Sequence, residues 1–493
     1  MIIDSKETLA KKKYAKRQLG HVLILGLGKT GKAAFRYCYN LLGSRVASLS
    51  VAAGDSNQSS QEFIAGFDAS RFSASFDTDT FSDIYDVCIV SPGISQCSDF
   101  YQNAKQASTE LISEVEFAWR ESAENSIWIA ITGTNGKTTT TELATHLLRK
   151  AHKNAAAVGN IGETCLGAVA SGKVDIYVAE VSSYQLASTK YFAPQIAAIL
   201  NITPDHTSWH GSHEKYREAK LSILKNLSDQ KNSWAVFDAT DNEVRAILKN
   251  TITQDGEKRG YNYVPLGAKE GITADMRHVC GSENAAFVSS GRLCVAMQGH
   301  EHVLAHIDDL KIRGDHNYAN ALTASAIACI FEIDDATISA ALTSFKPLPH
   351  RIEPCGSVLG VACYNDSKAT NPDATQKALT AFGNAKPFVL LGGFDKGSDL
   401  STFVEEVEKN ACAAVCFGAA GSRFYKAFSH ASIPVYQADK LEEALDVALV
   451  HAREGDAIVL SPACASFDEF SSYEQRGDVF KRLVKQRSQD RGV

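Results

Sequence analysis

Runs of four or five apolar residues, each closed by a glycine, a hydroxyl, an amide or an acid, recur along the chain: VLIL (22–25), VCIV (87–90), IWIAI (127–131), IYVA (176–179), IAAIL (196–200), FVLL (388–391), AAVCF (413–417) and AIVL (457–460). Unbroken apolar runs of this length read as strands covered on both faces, where the usual alternation is lost. Between them the pattern turns helical, as in the segment after the first run, KAAFRYCYNLL (32–42). Strand, turn and helix in repeated succession predict an α/β protein with mainly parallel sheets. At about 150 residues per domain, 493 residues suggest three. The pattern separates residues 1–122, 123–343 and 344–493, with the Pro-containing KPLPHRIEP (346–354) as a hinge at about residues 343–350. Ligands of open α/β sheets bind at the carboxyl ends of strands, so the strand ends of the third stretch are candidate site positions.

Composition narrows the class. With 44% hydrophobic and 22% charged residues the chain is an ordinary globular one, neither disordered, collagenous nor coiled-coil. Its net charge of −7 gives no global positive field for nucleic acid. The longest basic cluster, Lys11-Lys12-Lys13 with Lys16 and Arg17, reads as a solvated helix face. The first twenty residues have no apolar core of a signal peptide, and no run of eighteen apolar residues predicts a membrane span. Twelve cysteines without a C-x-x-C pair read as reduced, mostly buried thiols, which predicts a cytoplasmic protein.

The sharpest local signal is TGTNGKTTTTEL (132–143), after the strand IWIAI and at the start of a helix. Gly133 and Gly136 permit a tight loop through Thr134 and Asn135 with inward-facing N–H groups. Lys137 supplies a point charge for phosphate, and Thr138 or Thr139 offers a hydroxyl to Mg²⁺. The loop is G-x-x-G-K-T, one glycine short of the standard P-loop because residue 131 is Ile. A second turn, Gly26-x-Gly28-x-x-Gly31, also joins a strand to a helix, with Asp55 about where a ribose-binding acid would sit. By spacing alone it fits a dinucleotide, another nucleotide diphosphate, or a tight turn with no ligand.

Three features follow the phosphate loop. Glu180 closes a strand and can hold Mg²⁺ or sit in a salt bridge. NITPDHTSWHGSH (201–213) lacks the ligand spacing of a zinc site; one functional His206 beside Asp205 is expected, with His210 and His213 at the surface. In YREAKLSILKNL (216–227) Tyr216, Ala219, Ile223 and Leu224 form an apolar stripe bordered by Lys220. The pattern favours a lysine whose stem lies along the core with its amino group in water; the alternative is a desolvated, reactive amine. His300-Glu301-His302 reads as an exposed hairpin. Asn317 and Asn320 fall in the first turn of an Ala-rich helix, able to read an adenine edge or to cap. Asp366, Lys368, Thr370, Lys396, Ser466 and Tyr473 gather at strand ends of the third stretch, a carboxylate-binding set.

TGTNGKTTT, EVSSYQ, NITPDH, YREAKLSI, HNYANALTA, PHRIE, NDSKATNP, LLGGFDKG, SPACASFDEF and YEQRGDVF occur in the order found in the Mur ligases, and the chain resembles that family over nearly its whole length. The segments from PHRIE onward are most similar to its D-glutamate-adding members, NDSKATNP and SPACASFDEF in particular. The resemblance implies three α/β domains: a Rossmann-like nucleotide-sugar domain, a P-loop ATPase-like domain and a Rossmann-like amino-acid domain. It implies ATP, two Mg²⁺ ions and a cytoplasmic step of peptidoglycan precursor synthesis, in which D-glutamate is joined to UDP-MurNAc-L-Ala through an acyl phosphate. A monomer acting on small molecules, with no nucleic acid and no membrane insertion, is expected.

By position, the resemblance assigns Gly133–Thr139 with Asn317, Asn320, Arg351 and Asp366 to ATP. Gly28, Lys29, Thr30, Asp55, Ser91, Gly93, Asn160, Ser182, Gln185 and His206 go to the UDP-sugar peptide, and Lys368, Thr370, Lys396, Ser466, Phe467 and Tyr473 to D-glutamate. Thr138, Glu180, His206 and Lys220, the last as a carbamate, go to the metal ions. Lys137, Glu180, His206 and Lys220 form the implied catalytic set. Phe467 and Tyr473 stand where leucine and phenylalanine occur in relatives, and Lys29 is unusual after Gly28. Rival readings are a folylpolyglutamate synthetase, which lacks about 120 residues before the phosphate loop, a nucleotide-dependent switch without Lys220, and an NAD(P) oxidoreductase, which leaves TGTNGKTTT unexplained.

Overall fold

The computed structural model describes residues 11–246, 260–267, 282–395, 397 and 400–490, and folds them around three sheets. The first contains β1 (Gly20–Leu25), β2 (Val46–Ala52), β3 (Ser73–Ser75), β4 (Val87–Val90) and β5 (Leu111–Ser113) in the order β3-β2-β1-β4-β5. All its pairs are parallel. The strand order reverses between β1 and β4, which opens a crevice at their carboxyl ends.

The second sheet contains β6 (Ile127–Thr132), β7 (Ala155–Gly159), β8 (Ile176–Glu180), β9 (Ile196–Ile199), β10 (Trp234–Asp238), β11 (Asn262–Gly267), β12 (Ala285–Ser289), β13 (Arg292–Met297) and β14 (His300–His306). Their order is β14-β13-β12-β11-β10-β9-β6-β8-β7, parallel from β7 to β12 and antiparallel where β13 meets β12. The third contains β15 (Glu353–Val358), β16 (Val361–Asn365), β17 (Phe388–Gly392), β18 (Ala413–Phe417), β19 (Val435–Gln437) and β20 (Ala457–Leu460) in the order β15-β16-β20-β17-β18-β19. Only the β15–β16 hairpin is antiparallel. The α/β class with mainly parallel sheets is as the apolar runs predict. The chain divides into two compact units: residues up to Ala305 with Ala319–Leu342, holding the first two sheets, and His306–Tyr318 with the chain from Thr343 onward, holding the third.

The third sheet shows why its runs lack alternation. Phe388 and Leu390 of β17 pack with Val358, Val415 and Phe480 on one face, while Val389 and Leu391 pack with Phe403, Cys416 and Phe424 on the other. Each fully buried side chain of this size contributes about 1.5–3 kcal/mol of transfer free energy, so the strands are apolar on both sides and polar chemistry is left to their ends. Eleven cysteines lie among the described residues and eight of them are buried, as the apolar patterns around them predict. Among the described residues no helix is long and apolar enough to cross a membrane.

One expectation fails near the amino terminus. Lys11–Arg17 form no helix, and their lysines are not simply solvated. Lys12 lies 2.9 Å from Glu121, which Arg45 also grips through two 2.7 Å bonds, and Lys16 lies 2.7 Å from Glu110. The cluster's charge is used to neutralise acids that the helix Glu114–Glu121 and its leading segment carry into the interior. Glu116 on that helix is fully buried; it accepts the Arg120 Nε–H at 3.0 Å and backbone N–H groups of Tyr191 at 2.9 Å and Phe192 at 3.3 Å. It thereby ties the last helix before β6 to the chain entering β9. Removing one partner of such a buried ionic network leaves the others uncompensated. Glu116→Ala is expected to lower unfolding free energy by about 3 kcal/mol in urea titration, and Glu116→Gln by clearly less.

Candidate active site

The phosphate loop leaves β6 at Thr132 and enters the helix Lys137–Lys150. Gly136 caps that helix with φ 84°, and a Cβ there would sit 2.5 Å from Asn320 Oδ1. A second loop, closing β9, holds the first in shape. Thr134 donates its N–H to the Asn201 carbonyl at 2.8 Å, and Asn135 donates to Asn201 Oδ1 at 2.8 Å. Asn201 Nδ2 donates back to the Asn135 carbonyl at 3.1 Å. The Thr134 hydroxyl shares a 2.8 Å hydrogen bond with Tyr216 and accepts the Thr203 N–H at 3.0 Å. Lys137 folds over the loop, donating to the carbonyls of Gly133 and Thr134 at 2.8 Å each. Thr138 stands half-buried on the first helical turn, and Thr139 is buried. Asn201, Thr203 and Tyr216 were not singled out as loop supports by the sequence; the polar NIT run closing a strand was the available signal.

Three chemically active groups converge on this loop. Glu180 pairs in register with Ile131, one strand over, so it reaches the same sheet end. Among the described residues it forms no salt bridge of the kind its strand-end position allowed: Oε1 accepts from Asn160 Nδ2 at 2.8 Å, and Oε2 is buried with no hydrogen-bond partner there. A buried carboxylate oxygen in that state is an acceptor built for a cation or a donor that binds later.

Lys220 overturns the reading that places its amino group in water. On the helix His213–Leu221 it is 1% exposed, and Nζ donates to the Gly133 carbonyl at 2.7 Å. Burial pushes its pKa well below the ordinary lysine range. Lys137 adds to the shift, while Asp205 and Glu180 resist it. His206 has left-handed backbone (φ 54°); its Nδ1 shares a 2.6 Å hydrogen bond with the Tyr184 hydroxyl, and Nε2 lies 3.6 Å from Asp205. His210 is not the surface residue expected. His210 is 4% exposed, with Nε2 3.0 Å from Ser183 Oγ, and burial, followed by His206 and Lys220, holds its pKa down to about 4. His213 is half-buried and lies 2.7 Å from Glu243.

The Gly-rich turn of the first sheet stands at the β1–β4 crevice. Gly26 has φ 86°, the Ser91 hydroxyl donates to its carbonyl at 3.0 Å, and a Cβ on Gly31 would meet that carbonyl oxygen at 1.9 Å. Gly28 and Lys29 are exposed and Thr30 half-buried at the start of the helix Lys29–Asn40; Lys29 donates to the Gly162 carbonyl. Asp55 and Gly93 are exposed on the loops after β2 and β4. Asn160, which holds Glu180, follows β7. Ser182 and Gln185 close a capping box on the short helix Ser183–Leu186, and Gln185 is buried by it. Asn320 is buried and accepts the Thr140 hydroxyl at 3.0 Å.

In the second unit, strand ends gather the remaining candidates. Asn317 donates to the Arg313 carbonyl at 2.8 Å, and Arg351 is half-buried in the turn before β15. Asp366, just past β16, is buried; it accepts the Ser461 hydroxyl at 2.7 Å and the Ile352 N–H at 3.2 Å. Burial pushes its pKa up to about 7 against those bonds and the nearby Arg351 and Arg476. Lys368 Nζ stands 3.8 Å from the Tyr473 ring centroid. Thr370 is half-buried, Ser466 is buried and Phe467 is 69% exposed. Lys396 lies outside the described residues.

Arg476, unremarked in the sequence, underlies this group. It is fully buried, and donates to the carbonyls of Ser367 (2.8 Å), Cys464 (3.0 Å) and Ala465 (3.1 Å) and to the Ser367 hydroxyl (2.9 Å). One guanidinium thus clamps the loops that follow β16 and β20.

The loop, the acid paired beside it and the buried lysine lie together at one end of the second sheet. Residues 131–328 match the Mur ligase middle domain, and residues 350–464 match the Mur ligase glutamate ligase domain. The chain is 37% identical over 404 residues to a UDP-N-acetylmuramoylalanine--D-glutamate ligase of Thermoanaerobacter pseudethanolicus, covering 81% of this chain and 84% of that one. A ligase of the same name from Caldicellulosiruptor saccharolyticus is 33% identical over 469 residues, 94% of this chain and 98% of that one. The fold is shared with MurF ligase from Thermotoga maritima, solved in complex with ADP, at a TM-score of 0.57 and 16% identity, over 97% of this chain and 99% of that one. The chain belongs to the Mur ligase family.

The Asp366 environment has a measurable consequence. The folded chain holds this proton to about pH 7, whereas an unfolded aspartate releases it near 4. Between those values the folded state binds more protons, so the residue's contribution to stability falls as pH rises from about 4 to about 7. The stability of wild type relative to Asp366→Asn is expected to decline across that window by up to about 4 kcal/mol and to be level on either side, read by urea unfolding of both proteins.

Proposed function

We propose that this chain joins D-glutamate to UDP-N-acetylmuramoyl-L-alanine at the expense of ATP, releasing ADP and phosphate, in cytoplasmic synthesis of a peptidoglycan precursor. The identity to ligases of that name over most of both chains supports the reaction. The observation that carries the chemistry is the phosphate loop lying directly against a buried, proton-poor lysine and an unsatisfied carboxylate. The sheet β1–β5 ahead of the phosphate loop favours this reading over folylpolyglutamate synthesis, whose enzymes lack those residues.

In this reading an oxygen of the alanyl carboxylate attacks the γ-phosphorus of ATP, and the bond to the bridging oxygen breaks to release ADP. The amine of D-glutamate attacks the acyl phosphate at its carbonyl carbon. The tetrahedral intermediate expels phosphate, and the amine loses a proton as the amide forms. Protein side chains position the partners and neutralise charge. Lys137 and the N–H groups of 133–139 hold the phosphates, with Asn317, Asn320, Arg351 and Asp366 around adenosine. The turn at Gly28–Thr30, with Asp55, Ser91, Gly93, Asn160, Ser182 and Gln185, serves the UDP-sugar peptide. Lys368, Thr370, Lys396, Ser466, Phe467 and Tyr473 serve the amino acid.

Thr138, Glu180, His206 and Lys220 would hold two Mg²⁺ ions, which when bound offset negative charge on phosphate and carboxylate oxygens. The donor set fits on two counts: Glu180 Oε2 has no other partner, and Lys220 favours its neutral form. A neutral amine can attack CO₂ and lose a proton, giving a carbamate anion, the charge a Mg²⁺ ligand requires.

ADP release is expected only when both UDP-MurNAc-L-Ala and D-glutamate are present, measured by a coupled assay. Release indifferent to D-glutamate, or faster with L-glutamate or a folate, would refute the assignment. Lys220→Ala is expected to remove activity, and a short carboxylic acid at high concentration to restore part of it. A fully active variant would exclude the carbamate.

A further inference from the structure

Away from the phosphate loop, three metal-ligating side chains that the reaction does not use come together at the free end of the second sheet. β13 and β14 form a hairpin that turns through Gln298 and Gly299, with φ of 53° and 82°. This tight turn fixes the register of β14. His300 and His302 are two residues apart on it, so their imidazoles leave the same face. Their ring centroids are 4.5 Å apart with the planes at 83°. Asp335 opens the helix Asp335–Ser344, and its Oδ1 lies 2.6 Å from His302 Nδ1. One donor atom from each of the three residues falls within 4.8 Å of the other two.

An ion pair of His302 with Asp335 accounts for part of this arrangement, but not for His300. Hairpin and helix start are each fixed by backbone structure, which leaves only side-chain rotation for closing the site. Two nitrogens and one oxygen select Zn²⁺, Co²⁺, Ni²⁺ or Cu²⁺ over Mg²⁺ and Ca²⁺, whose shells are all oxygen. Half-exposed ligands leave positions open to water.

The geometry points to a divalent transition-metal site, in practice a Zn²⁺ site, formed by His300, His302 and Asp335, at which the ion links the β13–β14 hairpin to the helix Asp335–Ser344.

The test is a Zn²⁺ titration of the full-length, chelator-treated protein against a chromophoric chelator, with Mg²⁺ and ADP in excess so that oxygen-rich sites are filled. About one equivalent is expected to bind tightly enough to compete, with affinity falling at least about tenfold in His300→Ala and in Asp335→Asn and holding in His206→Ala. Zn²⁺ should also raise the melting temperature of wild type and not of the doubly substituted His300→Ala, His302→Ala protein. Unchanged binding in that double variant, loss confined to His206→Ala, or no competition by wild type would each overturn the proposal. All four residues are surface or half-exposed, and circular dichroism of each variant verifies its fold.

Discussion

Placing the Lys220 amino group beneath the phosphate loop sets the terms for everything around it. The helix His213–Leu221 brings it to the Gly133 carbonyl, and burial there pushes its pKa well below the ordinary lysine range. Asp205 and Glu180 pull toward the charged form, but burial and the nearby Lys137 prevail. The same helix contributes Tyr216, whose hydroxyl holds Thr134, so one short segment both shapes the loop and lays a neutral amine against it. Gly133 is equally constrained: a Cβ there would lie 2.9 Å from Leu200 Cβ. The loop's shape, the lysine's protonation and the packing of β9 are therefore one arrangement, and none can be altered alone.

The sheets explain why the chemistry sits where it does. Strands covered on both faces have no room for charge along their length, so polar groups collect at their carboxyl ends. There Glu180 and Asp366 are both buried, and each answers burial differently. Glu180 leaves one oxygen without a hydrogen-bond partner, whereas Asp366 holds its proton up to about pH 7. A folded chain tolerates such groups when the surrounding backbone over-determines them, which Asn201 does for the phosphate loop and Arg476 for the loops of the third sheet.

The fold was legible because two-sided burial writes itself as apolar runs, and the phosphate loop because Gly-Lys-Thr between strand and helix has few other uses. What failed to show were properties set by distant contacts. The periodicity around Lys220 places it beside an apolar stripe but says nothing of the loop that closes over it from 87 residues earlier. His210 and His213 looked solvated because their neighbours in sequence are polar; their partners, Ser183 and Glu243, come from other segments. The amino-terminal lysines pair with acids that are about a hundred residues away. Asn317 and Asn320 share a helix turn and a residue type, yet only the packing of Thr140 decides that Asn320 is buried.

A net charge of −7 and a set of anionic substrates are compatible only if positive charge is concentrated locally. Arg476 shows how. Burial lowers its pKa to about 10, opposed by Cys464, Asp468, Asp366 and Glu469, so the guanidinium still carries its charge at neutral pH. Its hydrogen bonds go to three backbone carbonyls and a hydroxyl, and among the described residues it forms no salt bridge. Carbonyl dipoles satisfy its N–H groups without cancelling its charge. The guanidinium charge is therefore held in place beneath the loops at the strand ends of the third sheet, one of which also carries Lys368. That placement depends on loop geometry, not on the protein's overall charge.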